Sequence, residues 1–127
     1  MMRILAIVAA LIVAIEHAGF LVLEMFLWQE EAGMQVFGLT AEQAAQTATL
    51  AANQGLYNGF LAAGLVWSVL RGNREFLRFF LLCVIAAGVF GAMTASPAIL
   101  YVQAAPAAVA LLLSFGWKPR RLSFRGA

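Results

Sequence analysis

The sequence is short of charge and of cysteine, and both shortages narrow what the chain can be. Only 11% of its 127 residues are charged and 64% are hydrophobic, whereas a soluble domain is about a quarter charged. The single cysteine, Cys83, excludes an intrachain disulfide. The sequence has no glycine-rich phosphate loop, Cys-x-x-Cys pair or nucleophile elbow, so it offers no motif for nucleotide binding, thiol redox chemistry or serine hydrolysis. The composition instead indicates an integral membrane protein.

Basic residues are missing from two of the connections between the apolar segments. The loop after the first segment holds Glu30, Glu31 and Glu42, and the short loop at Ser96 and Pro97 has no charge. Because Lys and Arg near membrane spans are retained in the cytoplasm, this division predicts four spans with both termini cytoplasmic. The basic residues form no run, so their expected partners are anionic lipid headgroups and not nucleic acid. They precede the first segment, separate the second from the third, or follow the fourth: Arg3, Arg71, Arg74, Arg78, Lys118, Arg120, Arg121 and Arg125.

The lengths of the apolar segments predict an all-α, integral membrane four-helix bundle that forms one domain, residues 1–127. Four spans of about 20 residues leave little chain for a separate soluble domain. Thr40 and Gln43 fit a capping box that begins the second span. No small-x-small cleavage pair follows the first segment, so we expect an uncleaved span. The predicted spans cover residues 4–28, 41–70, 75–95 and 97–117.

Small residues and a proline predict features of the packing. Gly55 and Gly59 lie four residues apart in span two, a spacing that permits close helix contact in lipid. The contact is either within the chain or along a seam between two copies. Pro106 lies within span four and predicts a kink there, because proline removes a helix hydrogen bond.

Span one carries three ionisable residues at membrane depth, Glu16, His17 and Glu24. A charged group at this depth costs about 2.5–3.5 kcal/mol on insertion scales, so such groups usually face a partner or a cavity. At about 100° per residue, all three fit on one broad face of a helix, with His17 and Glu24 nearly eclipsed two turns apart. We therefore expect Glu16 and His17 to face the protein interior.

Spans two and four supply further polar side chains: Asn53, Gln54, Tyr57, Asn58 and Gln103. Counted at about 1.5 Å per residue from the outer ends of the spans, Asn58 and Gln103 lie near the depth of His17. This count predicts one polar binding site in the outer half of the membrane, shared by spans one, two and four. Asn and Gln also link membrane helices simply by hydrogen bonding, worth about 0.6–2 kcal/mol each, so a purely structural role stays open.

The residue types in span one suit proton or cation chemistry. A carboxylate and an imidazole that lie close together can share a proton near neutral pH, as Glu16 and His17 would. One His and two carboxylates also suit iron, manganese or zinc in principle. The spacing of Glu16, His17 and Glu24 matches no H-x-x-x-H or E-x-x-H pattern, so we predict no metal site and no cofactor.

Four stretches of the chain resemble the small integral membrane proteins grouped as domain of unknown function 1304. They read IEHAGFLVLEMFLW at residues 15–28, AANQGLYNGFLAAGL at 51–65, FFLLCVIAAGVFGAMT at 79–94 and LYVQAAPA at 100–107. The resemblance implies a four-helix bacterial membrane protein, placed in the inner membrane, and implies no activity. Its motif residues coincide with the polar set: Glu16, His17, Glu24, Asn53, Gln54, Asn58 and Gln103.

Three functions fit these observations. The first is a small homo-oligomeric transporter or channel-like protein, in which Glu16 and His17 carry a proton, cation or small polar solute and the amides line the site. The second is an intramembrane isomerase-like enzyme, in which the Glu–His pair moves protons on a lipid-like substrate. The third is a structural or accessory subunit. In the enzyme, four aromatic side chains would shape the apolar pocket: Phe20, Phe26, Trp28 and Tyr57.

Overall fold

The computed structural model describes residues 1–117, and this range is helical with no β-strand. The predicted spans correspond in position to α1, α3, α4 and the last helical segment, whereas α2 was not predicted. The basic residues from Lys118 onward lie outside the described range. The elements in chain order are α1 (Met2–Phe26), α2 (Glu31–Phe37), α3 (Ala41–Leu70), α4 (Arg74–Thr94) and a π-helical turn (Leu100–Ala104) that leads into α5 (Ala105–Phe115).

Local side-chain hydrogen bonds determine where α3 and α4 begin. Thr40 Oγ1 accepts from the Gln43 N–H at 3.2 Å, and Gln43 Oε1 accepts from the Thr40 N–H at 2.9 Å. The predicted capping box is therefore confirmed. Gly72 follows α3 with φ of 61°, a left-handed conformation that glycine adopts without strain. Asn73 Oδ1 then accepts from the N–H groups of Glu75 and Phe76 and caps α4.

The helices pack with small residues inside and large apolar residues outside. α1 contacts α3 and α5, and α4 contacts the same two helices. Their shared core includes Leu65, Leu77 and Leu81 but is otherwise rich in alanine. Many large apolar side chains point outward, among them Ile15 at 72% exposed and Phe90 at 68%. The alanines in the core are Ala6, Ala10, Ala14, Ala107 and Ala110.

Glycines on α3 allow it to lie close against α1. A β-carbon at Gly55 would lie 2.6 Å from Met25 Cγ and 3.0 Å from Glu24 Cβ. A β-carbon at Gly59 would lie 2.5 Å from Leu21 Cδ1. These three distances are shorter than van der Waals contact, so neither glycine position accepts a side chain without movement. The glycine pair thus packs within the chain and brings α3 close to Glu24.

The helix changes its winding just before Pro106. The Ala105 N–H donates to the Leu100 carbonyl, a bond to the residue five positions back and not four. Pro106 lies in the first turn of α5, where a missing N–H leaves no helix bond unmade. A π-helical turn, a feature often found at functional sites, thus directly precedes Pro106.

Among the described residues, α1 and α4 are long and apolar enough to cross a membrane. The segment Leu100–Phe115 is apolar but shorter, about 24 Å at 1.5 Å per residue. α3 has 30 residues, which is ample length, but Asn53, Gln54 and Asn58 make it less apolar. The four predicted spans thus include two that meet the criteria of length and composition.

Candidate functional site

Glu24 and Asn58 join α1 to α3 by a direct hydrogen bond. Asn58 Nδ2 donates to Glu24 Oε2 at 2.7 Å, and Asn58 is 7% exposed. Gly55 lies one turn before Asn58 and lets the backbone of α3 approach Glu24. The depth count placed Asn58 near His17, whereas the structure pairs it with Glu24, about two turns further along α1.

His17 is completely buried, with 0% of its surface exposed. Its Nδ1 lies 2.9 Å from the carbonyl oxygen of Val13, one turn earlier in α1. Because a carbonyl oxygen only accepts hydrogen bonds, Nδ1 must carry a proton. In the neutral ring, Nε2 is therefore an acceptor. That Nε2 is buried and has no hydrogen-bond partner in the described chain, while Phe20 packs edge-on at a centroid distance of 5.8 Å.

Glu16 presents a second buried atom without a partner. Its side chain is half-buried, and its Oε2 forms no hydrogen bond within residues 1–117. No hydrogen bond or salt bridge joins Glu16 to His17, because neighbouring residues diverge by about 100° around a helix. Glu16 Oε2 and His17 Nε2 are the two buried, unpartnered side-chain atoms of the described chain. Since about 90% or more of buried polar groups are hydrogen-bonded, these two atoms are exceptions within the described chain.

The remaining predicted site residues do not join this interior group. Asn53 and Gln54 are exposed on the surface of α3. Tyr57 is 52% exposed and packs its ring against Phe60. Gln103 is half-buried in the π-helical turn and forms no hydrogen bond to another described residue. Of the eight residues, the structure joins Glu24 to Asn58 by a hydrogen bond, and it leaves buried atoms of Glu16 and His17, about two turns earlier on α1, without partners. We call these four residues the glutamate cluster: Glu16, His17, Glu24 and Asn58.

The glutamate cluster does not form a three-ligand metal site. Within residues 1–117, no group of three His, Cys, Asp or Glu side chains could hold a metal ion together. Glu24 is seven residues from His17, or about 10 Å along the helix axis. Glu24 Oε2 also accepts a hydrogen bond from Asn58.

The structure also contains a polar cluster that the sequence analysis missed. Arg78 donates from Nε to Ser114 Oγ at 3.1 Å and from Nη2 to the Ser114 carbonyl at 2.9 Å. The Arg78 guanidinium lies 4.4 Å from the centroid of the Phe115 ring, and Arg74 Nη1 donates to the Trp117 carbonyl at 3.3 Å. Cations at the C-terminal carbonyls of α5 complement the helix dipole. We call Arg74, Arg78, Ser114 and Trp117 the arginine cluster.

Trp28 follows the C-terminal end of α1 and connects it to α2 and α3. Its Nε1 donates to Thr47 Oγ1 at 3.0 Å, and its ring lies 4.7 Å from that of Phe37 in α2. Phe26, one turn beyond Val22, is instead 67% exposed. Of the aromatic residues predicted to shape a pocket for an enzyme, Phe20 thus packs on His17, Trp28 on Phe37 and Tyr57 on Phe60.

Comparison with known proteins identifies the family. Residues 11–115 match the family described as "Protein of unknown function (DUF1304)". The chain belongs to this family. An uncharacterized protein YpaA of Lactococcus lactis subsp. lactis (strain IL1403) is 31% identical over 118 residues, covering 90% of this chain and 99% of the relative. No solved structure matches. The matched range contains the whole glutamate cluster and, from the arginine cluster, includes Arg78.

Proposed function

We propose that the chain is a four-span protein of the bacterial inner membrane, with one domain and both termini cytoplasmic. Its distribution of side chains supports this placement, because the alanine-rich core lies inside and Ile15, Phe79 and Leu112 are more than half exposed. Small residues between helices and large apolar residues facing outward are what helix packing in lipid favours. The basic residues lie at the two termini and in the connection between spans two and three, and this distribution supports cytoplasmic termini.

We further propose that Glu16 and His17 bind a proton, a cation or a small polar solute during transport through the membrane. One observation carries this proposal: both residues hold a buried polar atom that has no partner in the described chain. A half-satisfied buried group costs about 1–3 kcal/mol. Buried polar groups without partners persist in native proteins mainly where they serve a function.

The chemistry of the two atoms restricts the ligand. Glu16 Oε2 is a carboxyl oxygen and His17 Nε2 is an acceptor in the neutral ring. Two acceptors bind a group that donates a hydrogen bond or carries positive charge, and they repel an anion. The predicted outer loop adds Glu30 and Glu31 and no basic residue, so a cation approaching from outside meets only favourable charge.

Surface amides on α3 support an oligomer as the working unit. Asn53 and Gln54 are exposed in one copy, yet amides facing hydrocarbon without partners are costly. A second copy of the chain would provide those partners and would supply the additional wall that four short helices lack. The amides of both copies would then line the transport pathway.

The structural alternative accounts for part of the site only. A direct bond such as that from Asn58 to Glu24 is what a helix-linking role requires. It leaves the unpartnered atoms of Glu16 and His17 without explanation. The isomerase alternative needs an enclosed apolar pocket beside the pair, and the exposed Tyr57 and Phe26 do not contribute one.

Flux through reconstituted vesicles tests the transport proposal. Purified protein is placed in vesicles with a pH-sensitive dye inside, and proton entry is driven by a potassium diffusion potential. Parallel vesicles carry a sodium indicator. The substitutions Glu16→Gln and His17→Gln should lower the flux by about tenfold or more, since losing a hydrogen bond to a charged group costs about 1.5–3 kcal/mol.

Glu42→Gln is the matched control, because Glu42 is an exposed carboxylate at the start of α3. It should leave the flux within about twofold of the original, as surface substitutions generally change little. Equal flux in all three variants, or no flux of either ion above that of empty vesicles, would refute transport of these ions through the Glu16–His17 position.

A further inference from the structure

α3 and α4 leave an open apolar groove on the surface, which begins at Phe60, two positions after Asn58 of the glutamate cluster. Its volume is about 590 Å³, within the range of about 300–1,000 Å³ typical of small-molecule sites. Its lining is aromatic and contains no charged residue: Phe60, Gly64, Trp67, Phe76, Phe79 and Phe80. This groove has no role in the transport proposal.

Gly64 gives the groove its depth. A β-carbon at Gly64 would lie 2.4 Å from the ring of Phe80, so the absent side chain lets that ring pack directly against α3. Phe79 then packs edge-on against Phe80, with ring centroids 5.4 Å apart. The rings of Phe79 and Trp67 are 59% and 55% exposed. Together with Phe80 they line the groove as an open aromatic channel.

A positive charge lies at the inner end of the groove. The guanidinium of Arg71, just after α3, lies 5.6 Å from the centroid of the Trp67 ring, and Arg71 is exposed. Eleven residues separate Phe60 from Arg71, or about 16 Å of helix. That length is close to half of the roughly 30 Å hydrocarbon core, the depth that one leaflet's acyl chain occupies.

We propose that this groove binds an anionic phospholipid of the cytoplasmic leaflet. One acyl chain lies along the aromatic channel between Phe60 and Trp67, and Arg71 contacts the phosphate of the headgroup. Guanidinium groups bind phosphate by charge-assisted, often bidentate, hydrogen bonds. The proposal requires that the chain resides in a membrane, but it is independent of ion binding at Glu16 and His17.

Titration with single lipids tests the site. Detergent-solubilised protein is titrated with phosphatidylglycerol or with phosphatidylcholine, and the first bound lipid is counted by native mass spectrometry. Ala63 is exposed on the groove side of α3, so Ala63→Trp fills the channel from outside. It should weaken binding of the first phosphatidylglycerol by about tenfold or more, because the acyl chain loses its apolar contacts. Val109→Trp adds the same ring at an exposed position of α5 and should leave binding unchanged.

Arg71→Gln tests the headgroup contact separately and leaves the channel intact. The preference for phosphatidylglycerol over phosphatidylcholine should fall by about fivefold, the contribution of one basic residue near an anionic surface. Arg3→Gln is its control, because Arg3 lies over Trp117 and away from the groove. The proposal is overturned if Ala63→Trp binds lipid like the original protein, or if both Trp variants lose binding equally. It is also overturned if Ala63→Trp changes the number of copies in the complex and not the bound lipid, since the groove would then be a contact between copies.

Discussion

The two polar clusters of this protein differ in whether their buried polar atoms have hydrogen-bond partners. In the arginine cluster, the buried Ser114 hydroxyl donates to the Leu111 carbonyl and accepts from Arg78. In the glutamate cluster, Asn58 satisfies Glu24, but Glu16 Oε2 and His17 Nε2 have no partner. Complete pairing stabilises a fold, whereas incomplete pairing lowers stability and leaves atoms free for a ligand. The comparison favours a structural role for the arginine cluster, and it is the basis on which we propose a binding role for the glutamate cluster.

The largest expected effect follows from breaking the arginine cluster. Arg78→Ala removes two hydrogen bonds to Ser114 and the guanidinium over Phe115. We expect the free energy of unfolding to fall by about 2–3 kcal/mol, the scale of hydrogen bonds to charged groups. Reversible unfolding in mixed detergent micelles measures the change. Arg71→Ala, at an exposed position on the same side, should cost less than about 0.5 kcal/mol. Equal losses would mean that the contacts to Ser114 contribute nothing.

A smaller effect on the free energy of unfolding is expected when the hydrogen bond between Asn58 and Glu24 is removed. Asn58→Ala removes the hydrogen bond to Glu24 and should lower the unfolding free energy by about 1–2 kcal/mol, the range for polar contacts between membrane helices. The same unfolding assay applies. Asn53→Ala alters an exposed amide five residues earlier on α3 and should have a clearly smaller effect in a monomeric preparation. If Asn53→Ala costs more, the link between α1 and α3 does not depend on Asn58.

The smallest effect on stability is expected at the unpartnered carboxylate. Glu16→Gln removes no hydrogen bond in which Oε2 takes part, so the unfolding free energy should change by less than about 0.5 kcal/mol or increase slightly. Ion flux should nevertheless be lost. A loss of stability as large as that of Arg78→Ala would show that Glu16 has a structural partner and would remove the contrast between the clusters.

The sequence was sufficient to predict the main helices and part of the candidate site. Apolar segments separated by turn residues located α1, α3 and α4, and Thr40 with Gln43 located the start of α3 because capping is a local interaction. Depth counting placed Asn58 near the level of His17, whereas its hydrogen bond joins it to Glu24, seven residues further along α1. The count was wrong by about two turns because the ends of the spans do not determine how far α3 is shifted along α1. The short α2 was missed because residues 29–40 contain no sustained apolar period.

Depth along a helix says nothing about which face a residue occupies. The rotation of α3 is determined by Gly55 and Gly59, whose missing side chains turn that face toward α1. Asn58 follows Gly55 by three positions and shares the face, whereas Asn53 and Tyr57 each lie two positions from Gly55, roughly 160° around the helix, and are exposed. The pairing of Arg78 with Ser114 depends likewise on how α4 and α5 align, which no local pattern encodes.

The measurement that tests the central claim most directly is nitrogen NMR of His17, the only histidine in the chain. Protein with ¹⁵N-labelled histidine gives one imidazole, observed between about pH 5 and pH 8 and with added sodium or ammonium. The account predicts the tautomer protonated at Nδ1, a resonance of Nε2 that moves with pH or cation, and an altered response in Glu16→Gln but not in Glu42→Gln. A ring protonated at Nε2, or an Nε2 resonance that responds to neither pH nor cation, would contradict a binding role for the glutamate cluster.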